Sequence, residues 1–267
     1  MKIKVFIVTY KNESFLRNNI DSLLESDLLK YDYEINVINN FTETFQSEDF
    51  LEKRKVNVFH NTLRPDFSTG HLSRNWNQAI INGIKNLISP QCDILVLCQD
   101  DNIFQTNWCD HLINMHEKYD FITMGGGDQF HSYTPEHVRK VGLWDERFCN
   151  IGYQEADYFI RSYLYNKDRA SINDPKHKRL HNPIENFFIS LDDYLIGGMR
   201  GDAAHIASAQ YHSISRKILL EKWGDFECNW SEEKLSQLPT TSLVKNYVLY
   251  PYFEKDVYGL AEKGYIT

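Results

Sequence analysis

Two adjacent carboxylates, Asp100 and Asp101, follow directly on the apolar run Cys92-Asp93-Ile94-Leu95-Val96-Leu97-Cys98-Gln99. Such a run reads as a buried strand. A strand that empties into Asp-Asp carries anionic oxygens to the rim of a sheet, where open α/β sheets bind their ligands. Hard oxygen donors at that place suit Mg²⁺ or Mn²⁺ carrying a phosphate. The same pair also suits an acidic turn that caps a following helix. Arg74, near an expected helix start, offers a fixed cation whose fork geometry matches phosphate oxygens, or else a solvated surface arginine.

Positioning these groups requires a regular frame, and strand-like and helix-like segments alternate through the first half of the chain. Lys4 to Val8 reads as the first strand, followed by a helix whose face is Phe15, Ile20, Leu23, Leu24 and Leu28, with Ser14 as its expected N-cap. Glu34 to Ile38, Val56 to Phe59, the run before Asp100, and Asp120 to Met124 follow as strands, with a helix from about Leu72 to Leu87. The fifth strand breaks at Gly125-Gly126-Gly127, where missing side chains permit close approach of a ligand. This alternation predicts a mostly parallel, doubly wound sheet. Beyond residue 130 the pattern loosens: Tyr153 to Tyr165 reads as a helix, 166–183 as a long loop, and Tyr247, Tyr250, Tyr252, Phe253 and Tyr258 form an aromatic tail. The expected organisation is a domain over residues 1–215 and an extension over 216–267 packed on it.

Composition narrows the partners. The 267 residues are 42% hydrophobic and 25% charged, values that exclude wholesale disorder. A formal charge of −8 disfavours a broad nucleic-acid footprint. Five cysteines without a CxxC pair fit reduced thiols in the cytoplasm better than a disulfide framework, and they do not indicate zinc. The N-terminal apolar run is too short for a membrane span and lacks a cleavage site, so no signal peptide or transmembrane segment is expected. Association into an oligomer stays open.

The ordered landmarks resemble the GT-A glycosyltransferases of the family 2 type, over roughly residues 3 to 165. Ile7-Val8-Thr9-Tyr10 closes strand one. Gly70-His71-Leu72-Ser73-Arg74-Asn75-Trp76-Asn77-Gln78-Ala79 is similar to the family's Gly…Ala-Arg-Asn-x-Gly helix. Gln99-Asp100-Asp101 stands where the family's Asp-x-Asp falls, and Val141-Gly142-Leu143-Trp144-Asp145-Glu146-Arg147-Phe148 precedes Gly152-Tyr153-Gln154-Glu155-Ala156-Asp157. The resemblance implies an α/β GT-A (Rossmann-like) fold: a mostly parallel central sheet, helices on both faces and a C-terminal helical and aromatic extension. It further implies transfer of a sugar from a nucleotide donor to the hydroxyl of a glycan or other acceptor, with inversion and with Mn²⁺ or Mg²⁺.

On that reading each residue has a physical task. A metal held by Asp101, with Asp100 nearby, stabilises charge on the departing diphosphate. Tyr10 stacks on the base, and Thr9 or Asn39 hydrogen-bonds its edge, although each also suits strand-end packing or a turn. Inversion needs a carboxylate to take the acceptor's proton, and Glu155 aligns with that position of the family's Glu-Asp-x-Asp pattern, with Asp157 two residues on. On a helix these two point about 200° apart, so both serve one atom only within a turn. Family members often complete the metal site with a late histidine, for which His212 is preferred over His205, with His177 and His181 as weaker alternatives.

Two departures stand out. Gln99 replaces the first Asp of Asp-x-Asp, and Asn39-Asn40 stands where many users of uracil nucleotides place an Asp. Two other classes compete with a glycosyltransferase: a non-catalytic nucleotide-sugar or glycan-binding protein on the same fold, and a nucleotidyltransferase, which ranks last because no glycine-rich basic loop follows strand one.

Overall fold

The computed structural model describes residues 1–42, 44–61, 72–124, 129–148, 153–171, 188–190, 215–220 and 222–223. Its strands are β1 (Lys2–Thr9), β2 (Asp32–Asn39), β3 (Asn57–His60), β4 (Ile94–Gln99), β5 (Asn102–Phe104), β6 (Phe121–Met124), β7 (Phe130–Tyr133), β8 (Ala170–Ser171) and β9 (Phe188–Ser190). The α-helices are α1 (Glu13–Leu24), α2 (Glu48–Lys53), α3 (Leu72–Ile84), α4 (Trp108–His116), α5 (Pro135–Val141) and α6 (Tyr153–Asn166). Residues 215–220 and 222–223 are also helical.

Seven strands form one sheet in the order β3-β2-β1-β4-β7-β6-β8, and β5 pairs with β9 in a separate two-stranded ribbon. Along β1 the side chains alternate between two cores, as a strand covered on both faces must. Ile3, Val5 and Ile7 pack with Leu16, Ile20 and Leu23 of α1 and Trp108 and Leu112 of α4. Phe6 and Val8 face the other way, towards Trp76 and Ile80 of α3, Val138 of α5 and Tyr158 of α6. Fully burying each such side chain contributes roughly 1.5–3 kcal/mol, so the central strands hold the frame.

The expected mostly parallel sheet with helices on both faces is present, with two strands the sequence pattern did not reveal: β7, and the short β8 at the start of the expected 166–183 loop. β7 runs antiparallel to both β4 and β6. Residues 125–129 are too few for the crossover that a parallel return needs, so the chain must double back. Smaller corrections concern helix ends. α1 starts at Glu13, which puts Asn12 rather than Ser14 at the N-cap position. α3 stops at Ile84, short of the expected Leu87, where Lys85 takes φ 59°. Thr134 caps α5, Pro135 opens it, and Gly142 closes it at φ 84°, a conformation that favours glycine.

The expected domain boundary falls at the first residue of the 215–220 helix, whose Leu219 shares the core with α5, α6 and Trp223. No helix among the described residues is long and apolar enough to cross a membrane. Cys92, Cys98 and Cys109 are free and buried, and burial pushes the Cys92 thiol up to about 12. The triglycine, most of the 166–183 loop and the aromatic tail lie outside the described residues.

Candidate active site

Because β2, β1 and β4 are neighbours and parallel, their C-terminal ends arrive at one sheet edge: Thr9 sits opposite Asn39, and Val8 opposite Gln99. The ladder continues beyond the strands, since Asp100 N donates to Val8 O (3.1 Å) and Asn40 N to Thr9 O (3.1 Å). Asp100 and Asp101 form a turn between β4 and β5 and do not open a helix, so the helix-capping alternative falls away.

Thr9 Oγ1 donates to Asp100 Oδ2 at 2.6 Å, with both residues buried. The hydroxyl expected to meet a base is thus committed to a carboxylate, a short bond of the stronger kind. Two amides that sequence reasoning missed brace the same turn. Asn19 of α1 donates to Gln99 O (3.3 Å), and Asn102 donates to Gln99 O and Gln129 O (both 3.0 Å). The only sequence signal for Asn19 is a polar residue on the apolar face of an amphipathic helix. Asp101 is fully buried beside Asp100, so the pair presents oxygen donors of the kind Mn²⁺ or Mg²⁺ takes. Among the described residues no group of three or more His, Cys, Asp or Glu side chains gathers as a metal cage.

At the ends of β1 and β2 the ring of Tyr10 meets that of Phe41 edge to face at 5.7 Å, and Lys11 Nζ lies 4.2 Å from the Phe41 centroid. Phe41 was not among the expected site residues, yet its ring makes this end of the sheet edge aromatic. Asn39 is fully engaged: Oδ1 accepts from Phe41 N (3.0 Å), and Nδ2 lies 3.2 Å from His60 Nδ1. Asn61 Nδ2 joins Asn40 Oδ1 (2.9 Å), Gln78 Oε1 (3.0 Å) and Asn75 Oδ1 (3.4 Å), which links β2, β3 and α3. That arrangement leaves Asn40 Nδ2 and Asn75 Nδ2 buried without a hydrogen-bond partner among the described residues.

Arg74 projects from the first turn of α3 with its side chain 64% exposed, and its Nε is 3.9 Å from Glu146 Oε2. One turn on, Asn77 accepts from Trp144 N (2.7 Å) and donates to Trp144 O and Glu146 Oε1 (both 2.9 Å). α3 therefore holds the segment that leads to α6.

Glu155 and Asp157 diverge as helical geometry requires. Glu155 lies in the first turn of α6 and is buried. Asp157 belongs to a buried ionic cluster: it accepts from Arg161 Nε (3.0 Å) and Trp223 Nε1 (3.0 Å), and pairs with Lys222. Lys222 also reaches Asp145 (3.2 Å), which Arg147 grips through Nε (2.9 Å) and Nη2 (2.6 Å). Burial works to raise the Asp145 carboxyl, but the Arg147 hydrogen bonds and the Lys222 charge outweigh it and bring it to about 2. Burial likewise pulls Lys222 down to about 8, against the raising charge of Asp157. His212, His205, His177 and His181 lie outside the described residues.

A model of the family described as "Glycosyl transferase family 2" matches residues 4–167. Among solved structures, S. aureus TarS 1–349 in complex with UDP-GlcNAc is similar with a TM-score of 0.55 at 14% identity, covering 98% of this chain and 76% of that chain. S. aureus TarS 1–349 gives 0.53 at 14% identity, covering 98% of this chain and 75% of that chain. A further S. aureus TarS structure gives 0.51 at 14% identity and 98% coverage of this chain, which spans 46% of that longer one. No curated protein matches this chain. At these identities the structural likeness speaks for the fold, which is GT-A.

Proposed function

Because this chain belongs to glycosyl transferase family 2, we propose that it moves a glycosyl group from a nucleoside-diphosphate sugar to an acceptor hydroxyl, with inversion and with Mn²⁺ or Mg²⁺. The observation that carries this reading is the Thr9–Asp100 bond, which clamps the Asp100-Asp101 turn at the edge where β1 and β4 end. Asp101 and Asp100 would hold the metal, which would supply positive charge against the departing diphosphate. Tyr10 and Phe41 flank the base. Buried amide donors on Asn40 and Asn75 await acceptor oxygens of the donor, and Arg74 swings from Glu146 to the diphosphate.

Glu155 takes the proton of the acceptor hydroxyl as that oxygen bonds to the anomeric carbon. The bond from that carbon to the diphosphate breaks, and the diphosphate leaves with the electron pair. Asp157, enclosed by Lys222, Arg161 and Trp223, positions Glu155 and does not itself accept the proton. His212 stays the preferred completing ligand of the metal. Free buried thiols and the use of sugar nucleotides support a cytoplasmic site of action.

A donor panel of UDP-GlcNAc, UDP-glucose and GDP-mannose with Mn²⁺, scored by thermal shift and by nucleoside diphosphate release, tests the reading; the neighbour's UDP-GlcNAc is the first to try. EDTA and Asp101→Ala are each expected to abolish turnover. Glu155→Gln is expected to lower kcat by about 10²–10⁴-fold, the usual worth of general base catalysis, while donor still binds. Turnover unaffected by EDTA and by both substitutions refutes the proposal, and donor binding without turnover in the wild type favours the non-catalytic binder.

A further inference from the structure

We propose that Lys222 is a positioning residue for the transfer reaction: from outside the stretch that matches the family, it locks the first turn of α6, and with it Glu155, to the 143–148 segment. The inference rests on the assignment of Glu155 as the base. Three separate pieces of chain meet at this ammonium. Asp145 comes from the segment that α3 holds through Asn77, Asp157 from α6, and Lys222 with Trp223 from beyond the family match. The side chains of Lys222, Asp145 and Asp157 are at most 1% exposed. Arg161 extends the tie by donating to Val141 O (3.0 Å) and Leu143 O (2.7 Å), so α6 is bound to the same segment at two levels.

An apolar side chain of similar size would fill this space, and buried ion pairs seldom add stability over such filling. What an ammonium between two carboxylates adds is geometry, because it fixes both partners at once. Asp157 stands two residues after Glu155, at the start of the second turn of α6, so holding it holds the first turn, where helices fray most readily. Among the described residues, without Lys222 Asp157 keeps Arg161 from its own helix and one indole N–H, while Asp145 keeps Arg147 from its own loop. The ionic link between Asp145 and Asp157 is then lost, while Arg161 keeps its bonds to Val141 O and Leu143 O. The donor half of the site lies on other elements, β1, β2 and β4. Displacing a reacting group by about 1 Å costs up to 10²-fold in rate, and that loss appears in kcat.

The test uses the full chain with UDP-GlcNAc and Mn²⁺, or whichever member of the donor panel the wild type turns over fastest. Lys222→Met is expected to lower kcat 10- to 100-fold with KM for the donor changed less than 3-fold, and Lys222→Arg to recover part of the loss. Hydrogen exchange should speed up at residues 153–157 and stay unchanged in β1 and β4. Trp223→Phe, which removes one hydrogen bond to Asp157 and keeps a ring in the core, is expected to lower kcat several-fold and serves where Lys222→Met does not fold. Wild-type kcat in folded Lys222→Met, or in Trp223→Phe where it stands in, overturns the proposal. So does a rise in KM that matches the loss of kcat. Glu155→Gln in the same assay separates the two levels. If it is inactive while the Lys222 and Trp223 variants run at the wild-type rate, only the positioning role fails; if it is fully active, the base assignment fails and takes the positioning role with it.

Discussion

At the scale of single residues the polar side chains divide by whether burial is answered. Asp145, Asp157 and Lys222 answer one another, whereas His131 on β7 is fully buried and neither ring nitrogen has a hydrogen-bond partner among the described residues. Its ring is packed between Trp76 and Trp144, each 5.1 Å away by centroid, with Phe121 at 6.3 Å. Burial lowers it to about 3, so it is a neutral ring that has lost its water without replacement. His131→Phe keeps an aromatic in an aromatic cage and removes the desolvated polar atoms. We expect it to stabilise the fold by about 1 kcal/mol in urea unfolding. A loss of stability of that size would mean that the imidazole makes a bond the protein needs. Thr9 shows the opposite case: read from sequence as a strand-end hydroxyl, it meets a carboxylate ninety-one positions away, which no local pattern encodes.

At the scale of elements, the approach of α3 to the sheet sets how the donor edge and the α6 segment are related, because Asn75, Asn77 and Arg74 all ride on it. Gly83 governs that approach. A Cβ there would lie 2.5 Å from Leu95 Cδ1 and 3.2 Å from Phe6 Cε2, both in the buried core. Ala is the better helix former by about 1 kcal/mol, but forcing a methyl against packed side chains costs roughly 1–3 kcal/mol. Gly83→Ala is therefore expected to be net destabilising by about 1 kcal/mol in thermal unfolding. An increase in Tm would show that Leu95 and Phe6 yield at no cost. The helix itself was legible from its apolar spacing, but its early stop at Ile84 and the close contact at Gly83 depend on what it packs against. β7 is the clearest miss: Phe-His-Ser-Tyr carries no strand signature strong enough to read, and only its insertion between β4 and β6 makes it one.

For the molecule as a whole, three buried histidines couple stability to pH. Burial lowers His116 to about 4 and His131 and His137 to about 3. His116 Nδ1–H donates to Tyr119 O (2.9 Å) and Nε2 accepts from Ser132 Oγ (2.6 Å), a neutral tautomer held at both ends. Below pH 6.5 the unfolded chain binds protons that the folded chain refuses, so stability falls as pH drops from 6.5 towards 4 for His116 and towards 3 for His131 and His137, and these rings leave it unaffected above that window. Each ring contributes about 2 kcal/mol of this loss at pH 5. Against a total stability of about 5–15 kcal/mol, three such losses are severe. Tm is expected to fall steeply between pH 7 and pH 5, and His131→Phe to remove about a third of the drop. A flat Tm across that range would contradict the burial of these rings as neutral groups.

The sequence by itself determined the alternation of strands and helices, the acidic strand end at Asp100-Asp101, the resemblance to the family and the divergence of Glu155 from Asp157. All of these are written in short-range periodicity, where chemistry and position lie within a few residues of each other. Tertiary structure alone decided which partners those residues meet. It gave Thr9 to Asp100, put Phe41 beside Tyr10, tied Asn40 to Asn75 through Asn61, and brought Lys222 and Trp223 back to Asp157. Burial at the sheet edge and under α6 removes water from polar groups, and each must then find its counterpart wherever the chain returns.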